Sequence, residues 1–190
     1  FPGTLSLSGE LMLKMVTEIG TQLANMGFQR LVLFNAHGGQ IGLLQAIARE
    51  LRIQCPSISV LPCFLWSGVD ELRDLIPNKE VEQGLHAALA ETSLMLSFDP
   101  DLVGDSRPFD GDSKNSGNPN MEVPSGWSLE GAAPCAWLTN ELSQSGVIGD
   151  SRGANSQLGD NLRRVLVEHW EELFLNLMKS KWPPVEDLKM

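Results

Sequence analysis

The feature that most restricts the fold is an alternation of amphipathic helices and short apolar runs in the first third of the chain. Apolar residues recur at helical spacing over residues 8–26, and a second amphipathic helix is predicted over 41–53. Between and after these helices lie the apolar runs 31–34 (LVLF) and 58–66 (ISVLPCFLW), which are typical of buried parallel strands. Gly27 is a candidate C-cap for the first helix. The pattern predicts an α/β domain, specifically a three-layer α/β/α sandwich with a mostly parallel central sheet.

The rest of the chain carries weaker patterns. Helices are predicted over about 86–98 and 156–179, while Pro62 places the second strand at a sheet edge or a bulge. Residues 104–146 are rich in Gly, Ser, Pro, Asp and Asn, which indicates an ordered functional or interface loop. Residues 1–182 are expected to form a single domain, followed by a short tail at 183–190. Because no strand precedes the first helix, the domain is expected to be incomplete at its N-terminus.

Charge and cysteine content narrow the class of protein. A formal net charge of −10 disfavours nucleic acid or an anionic membrane as the main partner, because both would repel the chain. No apolar run approaches the ~20 residues needed to cross a bilayer, and no signal peptide is evident. The three cysteines, Cys55, Cys63 and Cys135, show no CxxC spacing, so buried thiols in a reducing cytoplasm are expected.

His37 is the first candidate for chemistry. It lies in Asn35-Ala36-His37-Gly38-Gly39, directly after the first predicted strand. Ligands of open α/β sheets collect at the carboxyl ends of the strands, and imidazole is a versatile ligand for zinc, iron or manganese. The two glycines would allow a sharp turn and a close backbone approach to a ligand. From position alone, a structural histidine satisfied by backbone hydrogen bonds is equally plausible.

His86 and Glu91 form a second candidate cluster in the segment HAALAETS. If the helix begins near His86, that ring lies at the positive end of the helix dipole. Residues five apart on a straight helix differ by ~140°, so the two side chains would flank one pocket in different roles. A carboxylate in this apolar helix is costly unless it is paired or bound to a metal, although an exposed helix glutamate is the plainer alternative.

The remaining motifs give weaker evidence of function. HGGQIG matches only part of the dinucleotide-binding fingerprint, and no GxSxG, HExxH or P-loop motif is present. A nucleotide-binding α/β module is therefore a third and weaker hypothesis. His169 lies in the last predicted helix between Glu168 and Glu171, and is interpreted as a helix-face residue.

Four segments together resemble one family. FPGTLSL before a helix, NAHGGQ after a strand, HAALAETS, and GVIGDSRGANSQLG near the last helix are similar to the signatures of the creatininase family, in the same order. These segments extend over nearly the whole chain. The resemblance implies a metal-dependent amidohydrolase in which two divalent cations hold a bridging water, as a metal-bound hydroxide, that attacks a C–N bond.

The resemblance also implies roles for individual residues. His37 would be a metal ligand, Glu91 a replacement metal ligand, and His86 the catalytic proton shuttle. The backbone of Gly38 and Gly39 would line the substrate pocket, where Trp66 or Trp127 would act as a lid. The implied cofactor is zinc, with manganese or iron as alternatives. The implied partners are a small-molecule substrate and further copies of the chain, in a homo-oligomer that is usually a hexamer.

Three departures from the family pattern restrict this prediction. The upstream motif (GSxEQHGPHLP, then TD) that supplies further metal ligands is absent from these residues. Gly39 stands where creatininases carry a glutamate, so creatinine is not the expected substrate, and Ala88 replaces the usual glycine of HAG. The expected reaction is hydrolysis of a cyclic amide or a formamide, as in the formamide hydrolases of flavin or deazaflavin biosynthesis. The alternative is a non-catalytic scaffold or binding subunit that keeps the family fold without a complete metal site.

Overall fold

The computed structural model describes residue 1 and residues 3–111 and 123–183. Part of the predicted loop at 104–146 and all but the first residue of the predicted tail at 183–190 lie outside this description. The described residues form two compact units. The first comprises Phe1 with residues 69–168, and the second comprises residues 3–68 with 169–183.

The second unit contains the predicted helix–strand alternation. Its elements are α1 (Gly9–Asn25), β1 (Arg30–Asn35), α2 (Ile41–Gln54) and β2 (Ser59–Phe64). The Ser8 side chain caps α1 by accepting from the Leu11 N–H at 3.2 Å, and Gly27 has the positive φ of 91° expected after the helix end. The predicted boundaries of all four elements are correct to within a few residues.

Strands β1 and β2 are parallel and joined through α2, which confirms the predicted α/β class. Their register runs without interruption from the pair Arg30 and Ser59 to the pair Asn35 and Phe64. Pro62 therefore lies within a regular ladder, opposite Leu33, and does not form a bulge. In the described residues β2 pairs only with β1, so the missing N–H of Pro62 costs no ladder bond on its outer side.

The core of this unit lies where α2 packs on the sheet. Ile47, Leu51 and Ile58 are fully buried there. Trp170, in the C-terminal half of the last helix, packs edge-on against Phe34 with ring centroids 4.8 Å apart. Such edge-to-face pairs are a preferred aromatic geometry, and this one holds that part of the helix against β1.

The first unit contains shorter elements. They are α3 (Leu72–Leu75), α4 (Asn78–Gln83), α5 (Leu89–Phe98), β3 (Phe109–Asp110), α6 (Thr139–Leu142) and β4 (Gly149–Asp150), and β3 pairs antiparallel with β4. The last helix, α7 (Ser156–Lys179), has the predicted boundaries. Within the described residues, no helix is both long enough and apolar enough to span a membrane.

One predicted boundary is wrong. The helix expected to begin near His86 starts three residues later, at Leu89. His86 is held in an extended conformation by a β-bridge to Ile148, in which the Ile148 N–H donates to the His86 carbonyl at 2.7 Å. Ala87 then takes a positive φ of 48°, which breaks the helical path before α5. His86 therefore does not lie in the first turn of a helix.

Candidate active site

The backbone around His37 is fixed by the buried side chain of Asn35. The Asn35 amide group donates to the His37 carbonyl at 2.8 Å and accepts from the His37 N–H at 3.0 Å. Asn35 itself is 6% exposed and ends β1. The local sequence produces this geometry because an asparagine side chain readily bonds to backbone groups two residues further on. The His37 ring is exposed at the carboxyl end of β1, where a ligand can reach it.

Gly39 gives the His37 ring its space. A Cβ atom at position 39 would lie 3.0 Å from His37 Nε2, closer than ordinary van der Waals contact. Gly38 and Gly39 form a short 3-10 turn, Gly38–Gln40, and neither has positive φ. Gly39 is therefore needed for its close approach to the His37 ring, and the turn expected at Gly38 and Gly39 forms without positive φ.

His86 has one ring nitrogen committed to the backbone. Its Nδ1 lies 2.5 Å from the carbonyl oxygen of Gly146. A carbonyl only accepts hydrogen bonds, so Nδ1 must carry the proton, and in the neutral ring Nε2 presents a lone pair. The half-buried ring is thus oriented with one nitrogen available to receive a proton or to bind a metal.

In its neutral form the His86 ring is therefore expected to carry its proton on Nδ1 in the folded protein. The chain contains three histidines, so the ring signals in a long-range ¹H–¹⁵N spectrum can be assigned with single-histidine variants. We expect the Nε2-protonated pattern to be absent for His86. Observation of that pattern would show that the bond to Gly146 does not form in solution.

Glu91 lies in the first turn of α5 and reaches back to the residue after His86. Its Oε2 accepts from the Ala87 N–H at 2.5 Å, and the Thr92 hydroxyl donates to the Ala87 carbonyl at 2.8 Å. These two bonds hold Ala87 in its positive-φ conformation, which is costly for a residue with a Cβ. The structure thus brings His86 and Glu91 to either side of one strained residue, and one oxygen of Glu91 is already engaged.

A second carboxylate beside α5 escaped the sequence analysis. Glu80 is buried and accepts from the Ala90 N–H at 3.1 Å, so it satisfies a donor at the N-terminus of α5. Burial raises the pKa of Glu80, opposed by its hydrogen bonds to the backbone N–H groups of Ala90 and Leu89. It lines a cleft of about 180 Å³ together with Asp150 and Phe109. A Cβ at position 84 would overlap the Glu80 carboxyl group, so glycine is needed there. The sequence alone did not indicate this contact.

Asp110 organises the loop that carries the partner of His86, and it too escaped the sequence analysis. One of its oxygens accepts from the Ser143 hydroxyl, the Gln144 N–H, and both the N–H and the hydroxyl of Ser145, at 2.8–3.0 Å. The Ser145 N–H, with the two serine hydroxyls, holds the pKa of Asp110 well below its usual range. The loop fixed in this way includes Gly146, whose carbonyl orients His86.

Replacing Asp110 with asparagine is expected to destabilise the protein by about 2 kcal/mol, because hydrogen bonds to a charged acceptor are lost and an NH₂ group faces the loop donors. Urea unfolding followed by circular dichroism measures the change. Asp150→Asn is the matched control. Hydrogen bonds to Arg152 lower the pKa of Asp150 to about 2, but this pair is solvent-exposed and should contribute less than about 1 kcal/mol. Equal losses for the two variants would contradict the organising role of Asp110.

The same interaction predicts a pH dependence. Because the pKa of Asp110 is lower in the folded protein than its value of about 3.9 in an unfolded chain, its stabilising effect is present above that pH. The effect is lost as the pH falls through and below that value. The free energy of unfolding of the wild type should thus fall more steeply below about pH 4 than that of Asp110→Asn. Parallel pH profiles would contradict this.

The remaining predicted site residues lie in turns. Trp66 is half-buried just after β2, in the same unit as His37, Gly38 and Gly39. Trp127 is 56% exposed, and its backbone N–H donates to the Pro124 carbonyl. The substrate contacts expected of both tryptophans stay predictions.

The site residues therefore fall into two local arrangements, one in each compact unit. His37 lies with Gly38 and Gly39 in the second unit, while His86 and Glu91 lie together in the first. Within the part of the chain that the structure describes, no three His, Cys, Asp or Glu side chains are grouped closely enough to hold a metal ion.

Comparisons with known proteins identify the family of the chain. The chain is 34% identical over 119 residues to a creatinine amidohydrolase of Pseudomonas putida, covering 58% of this chain and 46% of that protein. It is 26% identical over 195 residues to a mycofactocin precursor peptide peptidase of Mycobacterium ulcerans (strain Agy99), covering 98% and 62%. A solved mutant creatininase of the Zn-Zn type superposes with a TM-score of 0.67 at 25% identity, covering 95% of this chain and 68% of that one.

The chain thus spans between about half and two thirds of the length of the curated relatives that it matches. The structural likeness also confirms the predicted creatininase-like fold class. The family model described as creatinine amidohydrolase matches residues 1–174, which is most of the sequence. This chain belongs to the creatininase family.

Proposed function

We propose that the chain forms part of a metal-dependent amidohydrolase that cleaves the C–N bond of a cyclic amide or a formamide. The observation that carries the proposal is the exposed His37 ring, held by buried Asn35 at the carboxyl end of a parallel strand. The two curated relatives are named as an amidohydrolase and a peptidase, and both names denote hydrolysis of an amide-type C–N bond. The solved relative of the Zn-Zn type supports a divalent cation, with zinc as the first choice.

The donors present suit such a cation. Imidazole nitrogen and carboxylate oxygen are ordinary zinc and manganese ligands, so His37 and the second oxygen of Glu91 are each proposed as a metal ligand. The described residues contain no group of three ligands, and two ligands alone would make a weak site. The proposal therefore requires further ligands from polypeptide outside the described residues, and the greater length of the relatives is consistent with this.

A bound divalent cation would activate water and polarise the scissile carbonyl. The protein residues supply the remaining chemistry. His86 accepts a proton at Nε2 and delivers it to the leaving nitrogen, because its Nδ1 is occupied by the bond to Gly146. The bonds of Asn35 to the His37 backbone fix the position of the main chain from which that ring projects.

Substrate contacts and assembly complete the proposal. The backbone of Gly38 and Gly39 lines the pocket, and Trp66 or Trp127 covers the substrate. Creatinine is not the proposed substrate, since Gly39 lacks the carboxylate that creatininases carry at this position. The proposed protein is a cytoplasmic homo-oligomer, with residues 1–182 acting as one domain.

A second candidate function is a non-catalytic scaffold or binding subunit that keeps the family fold. The lack of a three-ligand group in the described residues favours it. The two functions predict different metal contents for the purified protein.

The test is to purify the protein, load it with Zn²⁺ or Mn²⁺, and measure bound metal by inductively coupled plasma mass spectrometry. Release of formate or of a ring-opened product from a panel of formamides and cyclic amides is then followed with and without metal. The hydrolase proposal predicts stoichiometric metal and metal-dependent turnover. Absence of both would support the scaffold function.

A further inference from the structure

Helix α5 begins without a capping side chain of its own. Its N-cap residue is Ala88, which has no side-chain oxygen to accept from the free N–H groups of the first helical turn. The carboxyl group of Glu80 takes this place from outside the helix, because it accepts from the Ala90 N–H at 3.1 Å and from the Leu89 N–H. A carboxylate is also favoured at the positive end of a helix dipole. Glu80 therefore caps α5, although it belongs to α4.

The packing around Glu80 leaves its buried carboxyl group little freedom to move. The Gly84 N–H donates to the Glu80 carbonyl at 2.8 Å, and a Cβ at position 84 would lie 2.4 Å from the Glu80 carboxyl carbon. Gly149 of β4 approaches equally closely, since a Cβ there would lie 2.8 Å from the Ala88 Cβ and 2.9 Å from the Gly84 Cα. Glycine at these two positions lets α4, β4 and the start of α5 pack in direct contact.

The helical turn that Glu80 caps also carries a contact of the candidate site. Glu91 directly follows Ala90, and its Oε2 accepts from the Ala87 N–H at 2.5 Å. Ala87 has positive φ and directly follows His86. A displacement of the Ala90 backbone would carry Glu91 with it and weaken the bond to Ala87. Two carboxyl groups thus act in succession, one on the start of the helix and the other on the residue next to His86.

We propose that Glu80 is a positioning residue of the candidate active site, which holds the start of α5 where Glu91 can bond to Ala87. A buried carboxyl group is costly, and a serine or aspartate at the N-cap position would be the simpler way to cap a helix. The cap from α4 differs from such a local cap because it also fixes α5 against a second helix. The consequence for metal binding rests on the proposed function, in which the second oxygen of Glu91 is a metal ligand.

The test measures the ¹H chemical shift of the Ala87 N–H in protein labelled with [¹⁵N]alanine. A short hydrogen bond to a carboxylate should place this signal downfield in the wild type. In Glu80→Ala the signal should move upfield by at least several tenths of a ppm, because the bond to Glu91 is weakened. Glu80→Gln keeps an oxygen that can accept from the Ala90 N–H, so its Ala87 signal should stay close to that of the wild type.

Zinc affinity supplies a second measurement. Loss of a group that supports a metal ligand costs at least about tenfold in affinity, so Glu80→Ala should bind zinc about tenfold more weakly than the wild type. Glu80→Asp, whose carboxyl group is one methylene short of the Ala90 N–H, should change both measurements in the same direction. It takes the place of the alanine variant if that variant does not fold.

Ser8→Ala is the matched control, because it removes the cap of α1 in the other compact unit. It should lower stability without moving the Ala87 signal, at a temperature where circular dichroism shows every variant to be folded. An unchanged Ala87 signal in folded Glu80→Ala, or an equal shift in Ser8→Ala, would overturn the proposal. A shifted signal in a protein that binds no zinc would support the positioning role and contradict the hydrolase function. Zinc binding with an unmoved Ala87 signal would do the reverse.

Discussion

Replacing His37 with alanine is expected to lower the zinc affinity of the protein at least about tenfold, since even the loss of a group that only supports a metal ligand costs this much. The ring is exposed, and Asn35 fixes its backbone from both sides. Alanine at position 37 leaves those two backbone bonds possible. The variant should therefore fold normally while losing one donor.

Competition with a chromophoric zinc chelator measures this change. His169→Gln is the matched control, because His169 lies in α7 and neither motif nor family resemblance assigns it to the metal site. We expect the control to retain wild-type affinity. Equal zinc affinity in His37→Ala and the wild type would remove His37 from the metal site.

Gly159→Ala is expected to destabilise the protein by about 3 kcal/mol, at the upper end of the usual cost of overpacking. A Cβ at position 159 would lie 1.9 Å from the carbonyl oxygen of Ser93 and 2.6 Å from its carbonyl carbon. These are backbone atoms, so α5 and α7 would have to separate. Since Ser93 is two residues after Glu91 in α5, the shift would also move that carboxylate.

Gly42→Ala is the control, because this substitution is not expected to destabilise the protein. Gly42 lies in the first turn of α2, and among the described residues no atom beyond the adjoining helix backbone lies within 4 Å of the position of an added Cβ. Alanine is the better helix former, so this variant should be unchanged or more stable by up to about 1 kcal/mol. Urea unfolding at pH 7 compares both variants with the wild type. A loss below about 1 kcal/mol for Gly159→Ala would show that the close contact is not present in solution.

The parts of the fold that were predictable are those with a strong local signal. Periodicity is sufficient for the long amphipathic helices and for β1, because the pattern repeats over several turns or fills a continuous apolar run. The four-residue helix α3 and the six-residue α4 are too short for a periodic pattern to form. The start of α5 was misplaced because His86 pairs with Ile148, a contact far away in the sequence.

The candidate site likewise contains parts that depend on neighbouring residues and parts that depend on contacts distant in the sequence. The His37 loop is local, since Asn35, His37 and Gly39 lie within five consecutive residues, and its position directly after β1 could be predicted from the sequence. Asp110 acts on Ser145, which is 35 residues away, and the Gly146 carbonyl meets His86 across 60 residues. Only the folded chain brings these groups together, and no pattern of neighbouring residues indicated them.

Anomalous diffraction at the zinc edge, from crystals grown with Zn²⁺, tests the central claim most directly. The account predicts a peak about 2.1 Å from a ring nitrogen of His37, the usual Zn–N distance. A fully occupied zinc ion bound only to other residues, or no peak at saturating zinc, would contradict it.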